Sequence, residues 1–299
     1  MLWQVIVFAI FFLAFATTAA ILYGANRWRS ATRRLRAKME ATRLPIAAVS
    51  YDPRELDGLP SPVQRFFRAV LREGQPLVAA ASVEHAGTFN MGQGEEQWKP
   101  FQSTQRVITR RPGFVWDARI RMAPAITAYV HDAYVAGDGV LAAKLFGLLT
   151  VMEQPSTPEL AQGELMRFFA EGAWYPTALL PSQGVVWEPI DETRASATLT
   201  DGTTTVKLVF QFDAQGLISS VRSDGRYREV DGVQVATPWQ GRFWDYALRD
   251  GMLVPLEGEV TWLLEDGPEP YWRGRIQGIE YEYTQHGRSS VVRMPESCK

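Results

Sequence analysis

Glu164, Arg167 and Glu171 recur at spacings of three and four in the stretch "ELMRFFAE". On a helix those spacings place all three side chains on one face. Two carboxylates on a shared face can act as general acid and base, so a hydrolase using Glu164 and Glu171 is one expectation. Seven helical residues would separate the acids by about 10.5 Å along the axis. That is at or beyond the ~6.5–9.5 Å used by inverting glycosidases. Arg167 between them would also hold both acids ionised. The stripe therefore reads first as a structural set of ion pairs, Glu164, Arg167 and Glu171, that fixes a helix against the rest of the fold.

No other catalytic pattern stands out. G-x-S-x-G, H-E-x-x-H, the P-loop and G-x-G-x-x-G are all missing from the sequence. His85, His131 and His286 are scattered without metal-ligand spacing. Cys298 is the single cysteine, so it forms no internal disulfide. His131 and Asp132 are adjacent in "YVHDAYVAGDG", and neighbours on a strand point to opposite faces, which excludes a dyad there. Asp138, between two glycines, reads as a turn. We expect no catalytic set, no metal and no cofactor.

The elements that must position these residues begin with an apolar run. Residues 2–24 carry no charge, enough for a helix of roughly 34 Å against a ~30 Å hydrocarbon core. Trp3, Tyr23 and Trp28 sit near its ends, where aromatic rings favour the interface. A cleaved signal peptide would need a basic n-region and a shorter apolar run, so the sequence predicts an uncleaved anchor in the cell (inner) membrane. Six basic residues lie between Arg27 and Lys38. By the positive-inside rule they place the C-terminal domain in the cytoplasm, and they can also lie on anionic headgroups. The net charge of −2 therefore hides an acidic remainder, which argues against a nucleic-acid partner.

Residues 25–58 read as a basic juxtamembrane segment and linker, 59–290 as one domain and 291–299 as a tail. Within the domain, "SPVQRFFRAVLREGQP" carries a helix signature: Ser61 as cap, Pro62 at the first position, Gly74 after the end, and Val63, Phe66, Phe67, Val70 and Leu71 on one face. A second helix is expected over about 158–172, weakened at Gly163 and stopped by Pro176. Most of the remainder alternates with period two. Phe114, Trp116, Ala118, Ile120 and Met122 oppose Asp117, Arg119 and Arg121, and Val206, Leu208, Phe210 and Phe212 oppose Lys207 and Gln211. Asp201-Gly202, Asp231-Gly232, Asp250-Gly251 and Asp266-Gly267 mark hairpin turns. Long antiparallel strands twist and curl, so the expected fold is mainly β. It is a large curved antiparallel sheet, a half-barrel or open barrel, with one or two packing helices.

Ten Trp, ten Tyr and fifteen Phe accompany that sheet. An open concave sheet lined by aromatics is a natural site for an apolar ligand. The expected ligand-binding residues are Trp116 and Trp262 on their strands, with Leu165, Phe168 and Phe169 facing inward. Trp174, Tyr175, Leu179 and Leu180 are expected in a rim stiffened by Pro176 and Pro181.

The phrases "GFVWDARI", "ELMRFFAEGAWYPTALLP", "TPWQGRFWDY", "GEVTWLLEDG" and "YWRGRIQGIEY" together resemble a family of uncharacterised bacterial membrane-anchored proteins. The resemblance implies no activity and no site residues. More loosely, the architecture is similar to the half-barrel of outer-membrane lipoprotein carriers, which implies lipid binding outside the cytoplasm, the opposite side to that implied by the basic flank. Three functions stay open: a membrane-anchored binder or carrier of a lipid or other apolar molecule, a carboxylate-based hydrolase, and a membrane-tethered scaffolding protein.

Overall fold

In the computed structural model, residues 1–46, 50–92, 95–230 and 232–284 are described. The N-terminal helix α1 spans Leu2–Glu40 and α2 spans Ser61–Val70. A first meander comes next: β1 (Val78–Asn90), β2 (Trp98–Ile108), β3 (Gly113–Ala123), β4 (Ile126–Val135), β5 (Asp138–Leu145) and β6 (Leu149–Gln154). Helix α3 (Pro158–Ala170) then leads to β7 (Val186–Pro189), β8 (Arg194–Asp201), β9 (Thr204–Phe212), β10 (Ile218–Val230), β11 (Val233–Arg249), β12 (Met252–Leu264) and β13 (Gly267–Tyr283). All thirteen strands form one sheet, ordered β6-β5-β4-β3-β2-β1-β13-β12-β11-β10-β9-β8-β7. Pairing of β1 with β13, from Val78↔Tyr283 to Phe89↔Trp272, joins the two meanders. The sheet curls into a half-barrel, and α3 packs inside it against β3, β4 and β5 on one side and β9 and β10 on the other.

The turns follow the backbone demands of tight hairpins. Asp250 and Gly251 both have positive φ, 46° and 84°, as a type I′ connection between β11 and β12 requires. Asp201-Gly202 and Asp266-Gly267 also connect paired strands, while Asp231 lies outside the described residues. Asp138 is not the turn itself. Ala136 and Gly137 take the positive φ values, and Asp138 opens β5 opposite Val135.

Helix α2 buries Val63, Phe66, Phe67 and Val70 and ends at Val70, with Pro60 rather than Ser61 at the cap position. Ser61 Oγ instead accepts from Arg65 Nη1 at 2.6 Å. Helix α3 starts as its sequence dictates: the Thr157 side chain accepts from the Leu160 amide.

The N-terminal segment departs most from its sequence reading. Residues 25–40 are no free linker, because α1 continues unbroken and docks on the convex face of the sheet. Trp28 Nε1 donates to Asp117 Oδ1 at 2.9 Å, and Thr32 Oγ1 lies 3.0 Å from Asp117 Oδ2 and 2.8 Å from His131 Nε2. Trp28 stacks on His131 with ring centroids 3.8 Å apart. Met39 completes a small second core with Ala80, Ile108, Val115, Ala133 and Val135. Lys38 pairs with Asp138, and Glu40 and Arg43 join Arg106 and Glu282 in an ion-pair network. The density of arginines around Trp28, Thr32 and Met39 hides this face in the sequence. The apolar first part of α1 is long enough to cross a membrane and is not packed against the domain.

Candidate functional site

Glu164 and Arg167 of α3 and Glu171 just after it divide into two groups, one around Arg167 and one around Arg226. Arg167 donates from Nε to Glu171 Oε1 at 2.8 Å and from Nη1 to Asp132 Oδ2 on β4 at 2.5 Å. Gln105 of β2 closes this group: its Oε1 accepts from Arg167 Nη2 at 3.3 Å, and its Nε2 donates to Glu171 Oε2 at 2.5 Å. Arg167 also lies over the rings of Phe114 and Trp116, 4.8 and 5.0 Å from their centroids. Glu164 turns the other way, accepting from Arg226 Nη2 of β10 at 3.2 Å. Arg226 Nη1 reaches Tyr271 OH at 3.5 Å, and Trp239 Nε1 donates to the same hydroxyl at 3.0 Å. Arg226 lies against the helix at Gly163, where a Cβ would meet its Nε at ordinary contact distance, 3.4 Å.

Burial sets the protonation of this cluster. Burial and the charge of Asp132 push the Glu164 carboxyl well above the usual carboxylate range. Burial opposes ionisation of Asp132 too, but the charge of Arg167, a hydrogen bond with Glu164 and the charge of Arg226 hold it below its usual value. Each acid keeps one oxygen that receives no donor from any other group, Asp132 Oδ1 and Glu164 Oε2. Two ionised carboxylates are both acceptors. A single proton carried by Glu164 and shared with Asp132 resolves the contact, leaving two arginines, two carboxylates and one neutral acid.

Above this cluster the curved sheet encloses a cavity of ≈ 460 Å³. Its walls include Trp116, Ile120 and Val130 from β3 and β4, and Trp239, Phe243 and Trp262 from β11 and β12. Glu164 and Arg167 of α3, with Glu171 just after it, form its floor. Trp262 stacks on Tyr271 at 5.6 Å, and Arg228 lies 5.7 Å from the Trp262 ring. The indole N–H groups of Trp116 and Trp174, both cavity-lining, are buried without an acceptor. Two unpaired indole donors thus border one apolar space.

Of the residues expected at a ligand site, Trp116, Trp174 and Trp262 line this cavity. Leu165, Phe168, Phe169, Tyr175, Leu179 and Leu180 are instead packed in the main core. The reason is local. No open loop follows α3. Three short 3₁₀ turns, Glu171–Trp174, Pro176–Leu179 and Pro181–Gln183, fold the chain back into the core. Tyr175 OH donates to Phe168 O at 2.7 Å, Trp187 Nε1 to Leu179 O at 3.0 Å, and Tyr281 OH to Trp174 O at 2.6 Å. The proline-limited rim is therefore core, and Trp174, 3% exposed, serves core and cavity together.

Gln105 and Arg226 were not singled out from the sequence, Asp132 was weighed only as a partner for His131, and Trp239 and Tyr271 counted only among the aromatics of the sheet. Asp132 carried a signal: Ala128, Val130, Asp132 and Tyr134 share one phase of β4, an acid on an apolar face. His131 points the opposite way, towards Thr32 of α1, as adjacent strand residues must. Arg226 carried none, because a register shift between Ser223 and Arg226 breaks the alternation of β10. His85 is buried beside Trp174, their rings 4.9 Å apart. His286 and Cys298 lie outside the described residues.

Two solved structures are similar at low score. A LolA superfamily protein from Nitrosomonas europaea has 11% identity and TM-score 0.31, covering 79% of this chain and 94% of its own. A beta-barrel-like protein of domain of unknown function DUF1849 from Brucella abortus has 10% identity and TM-score 0.20, covering 69% and 99%. No curated protein matches the chain. One family model spans residues 57–281, from just before α2 into β13, and therefore takes in both meanders, α3 and its partners Asp132 and Arg226; the chain belongs to this family of unknown function, DUF6920.

Proposed function

We propose that the protein is a membrane-anchored binding or carrier domain for a lipid or other apolar molecule, held in the cavity of the half-barrel. The carrying observation is the tryptophan-lined space of ≈ 460 Å³, inside the ~300–1,000 Å³ range of small-molecule sites. Each buried methylene of an acyl chain would contribute about 0.8 kcal/mol there. The unpaired indole N–H groups of Trp116 and Trp174 suit the polar end of an amphiphile in the cavity. Residues 2–24 anchor the chain in this reading, and the exposed Arg27, Arg29, Arg33 and Arg34 favour a cytoplasmic domain.

Gly241 gives the test. It lines the cavity, and a Cβ there would meet Trp239 and Phe243 only at ordinary contact distance, from 3.6 Å. Gly241→Leu would fill the space without disturbing the backbone. The full chain purified in detergent should retain an apolar fluorescent probe and co-extracted lipid, and the variant should stay folded but lose both. A folded wild-type chain that binds neither would end the carrier reading.

A hydrolase is the second reading, favoured by one observation. Asp132 and Glu164 form a carboxyl pair with separated proton affinities inside a cavity, an arrangement enriched at catalytic sites. Hydrolysis of ester lipids by the wild type, abolished in Glu164→Gln, would replace the carrier reading.

A further inference from the structure

We propose that the cavity opens onto the bilayer that holds α1, and that the strand tips at this end rest on its surface so that the ligand enters directly from the adjoining leaflet. This rests on the anchored-binder reading above and adds the route by which the cavity is filled.

Three observations converge. The first is contact between the anchor and the sheet. Gly24, at the end of the apolar run, packs on the β5–β6 turn so tightly that a Cβ would stand 2.2 Å from Phe146 O and 2.6 Å from Leu148 Cγ. Gly147 in turn faces the Gly24 carbonyl. From that point α1 runs along the convex face to Met39 without interruption, fixed by Trp28 and Thr32. The β5–β6 turn therefore sits at the depth where the span leaves the hydrocarbon, and docking prevents the domain from swinging away.

The second is what this end of the sheet exposes. Leu149 and Val151 of β6 are 63% and 62% exposed, and Ile126 at the β3–β4 turn is 37% exposed. Antiparallel alternation puts the β3–β4 and β5–β6 turns at the same end. Behind them, on the convex face, Arg119 and Arg121 are exposed, as are Arg27 and Arg29 of α1. Apolar tips backed by arginines match an interface of acyl chains below anionic headgroups.

The third is the direction of the cavity. Its lining includes Met91 and Gly92 after β1, Met152 in β6, Tyr227 to Glu229 near the end of β10 and Glu269 near the start of β13. Met91, Gly92, Tyr227 to Glu229 and Glu269 belong by strand alternation to the end of the sheet that carries the exposed tips, while Met152 stands mid-strand and Gln154 beyond it donates to Glu229 at 3.3 Å. The opposite end is closed by the 3₁₀ turns: Thr177 Oγ1 accepts from the Val78 amide at 2.9 Å, and Tyr281 OH donates to Trp174 O at 2.6 Å. An apolar molecule leaving the cavity by the open end meets the membrane rather than water.

The test uses the full chain with Cys298 replaced by Ser, reconstituted into phosphatidylcholine vesicles containing phosphatidylglycerol. An environment-sensitive fluorophore is placed at Leu149→Cys, Ile126→Cys or, at the other end of the sheet in the β9–β10 turn, Ala214→Cys. Labels at 149 and 126 should shift to the blue and be quenched by bromolipid, and the label at 214 should do neither. A water-like, unquenched label at both 149 and 126 overturns the proposal. Leu149→Glu with Val151→Glu should slow uptake of a fluorescent fatty acid from vesicles by about tenfold, equivalent to ~1.4 kcal/mol on the barrier. Binding of the same probe from detergent micelles should stay unchanged. Equal vesicle uptake by variant and wild type overturns membrane loading. Failure of the wild type to bind from micelles would instead remove the underlying binder reading.

Discussion

Arg167 of α3 reaches Asp132 of β4 at 2.5 Å and thereby fastens the interior helix to the first meander. The same arginine holds Glu171 at 2.8 Å, while Glu164 of the same helix holds Arg226 of the second meander. One helix thus bonds to both halves of a thirteen-stranded sheet, through an ion pair on one side and a hydrogen bond to Arg226 on the other, and these groups line the cavity between them.

Loss of Arg167 should be costly. Its side chain is 15% exposed, and its removal leaves Asp132 and Glu171 uncompensated beside a cavity. Arg167→Ala should destabilise the chain by about 3–5 kcal/mol, the range for breaking one side of a buried pair. Chemical unfolding followed by tryptophan fluorescence measures it. A loss below about 1 kcal/mol would place the pair among surface-like contacts.

Glu164 has the opposite character. Its folded pKa is raised by burial and by Asp132, so its contribution to stability is full below the unfolded value, about 4.3, and is lost as pH rises through the folded value. Glu164→Gln keeps a neutral hydrogen-bonding group and removes the titration. Thermal unfolding from pH 5 to pH 9 should show the variant gaining on the wild type as pH increases. A constant difference across that range would show that Glu164 does not exchange its proton on unfolding.

Acid should loosen the docking of α1. Burial lowers the His131 pKa to about 4 despite the attraction of Asp117, and burial lowers that of His85 to about 3. A histidine kept neutral in the folded state costs stability as pH falls from its unfolded value, about 6.5, towards the folded one. The wild type should therefore lose stability between about pH 6.5 and pH 4, and His131→Gln should flatten that limb. An unchanged acid limb in the variant would assign the loss to other groups.

Trp174→Ala should unfold rather than merely empty the site. Trp174 packs against Phe243 and Trp272, at 6.1 and 6.5 Å, and its carbonyl accepts from Tyr281. Large-to-small replacement of a buried aromatic costs about 3–5 kcal/mol. A melting temperature close to wild type would return this residue to the rim.

The docking of α1 can be read separately. Asp117 receives both Trp28 and Thr32. Asp117→Ala leaves the Trp28 indole N–H without its acceptor, at a cost of ~1–3 kcal/mol, while the Thr32 hydroxyl keeps Trp28 O and His131 Nε2 as partners. Limited proteolysis between residues 25 and 46 should accelerate several-fold while cleavage within the sheet stays unchanged. Unaltered digestion would mean that Met39 and its neighbours hold the helix alone.

Period-two alternation in β3 and β9, the Asp-Gly turns and the amphipathic face of α2 were legible in the sequence, because each depends on neighbours a few residues apart. The apolar run of α1 and the shared face of Glu164, Arg167 and Glu171 were legible for the same reason. Which acid meets which arginine was decided by the tertiary structure. Asp132 and Arg167 are 35 residues apart, and Glu164 and Arg226 are 62 apart. Their meeting depends on where α3 settles in the curved sheet and on the irregular register of β10 before Arg226. The same holds for α1. Its arginines read as a solvated flank, yet the convex face of β2, β3 and β4 supplies partners for Trp28, Thr32, Arg36 and Met39. Local periodicity encodes which face is buried; the identity of the partner across that face is set only when distant strands come into register.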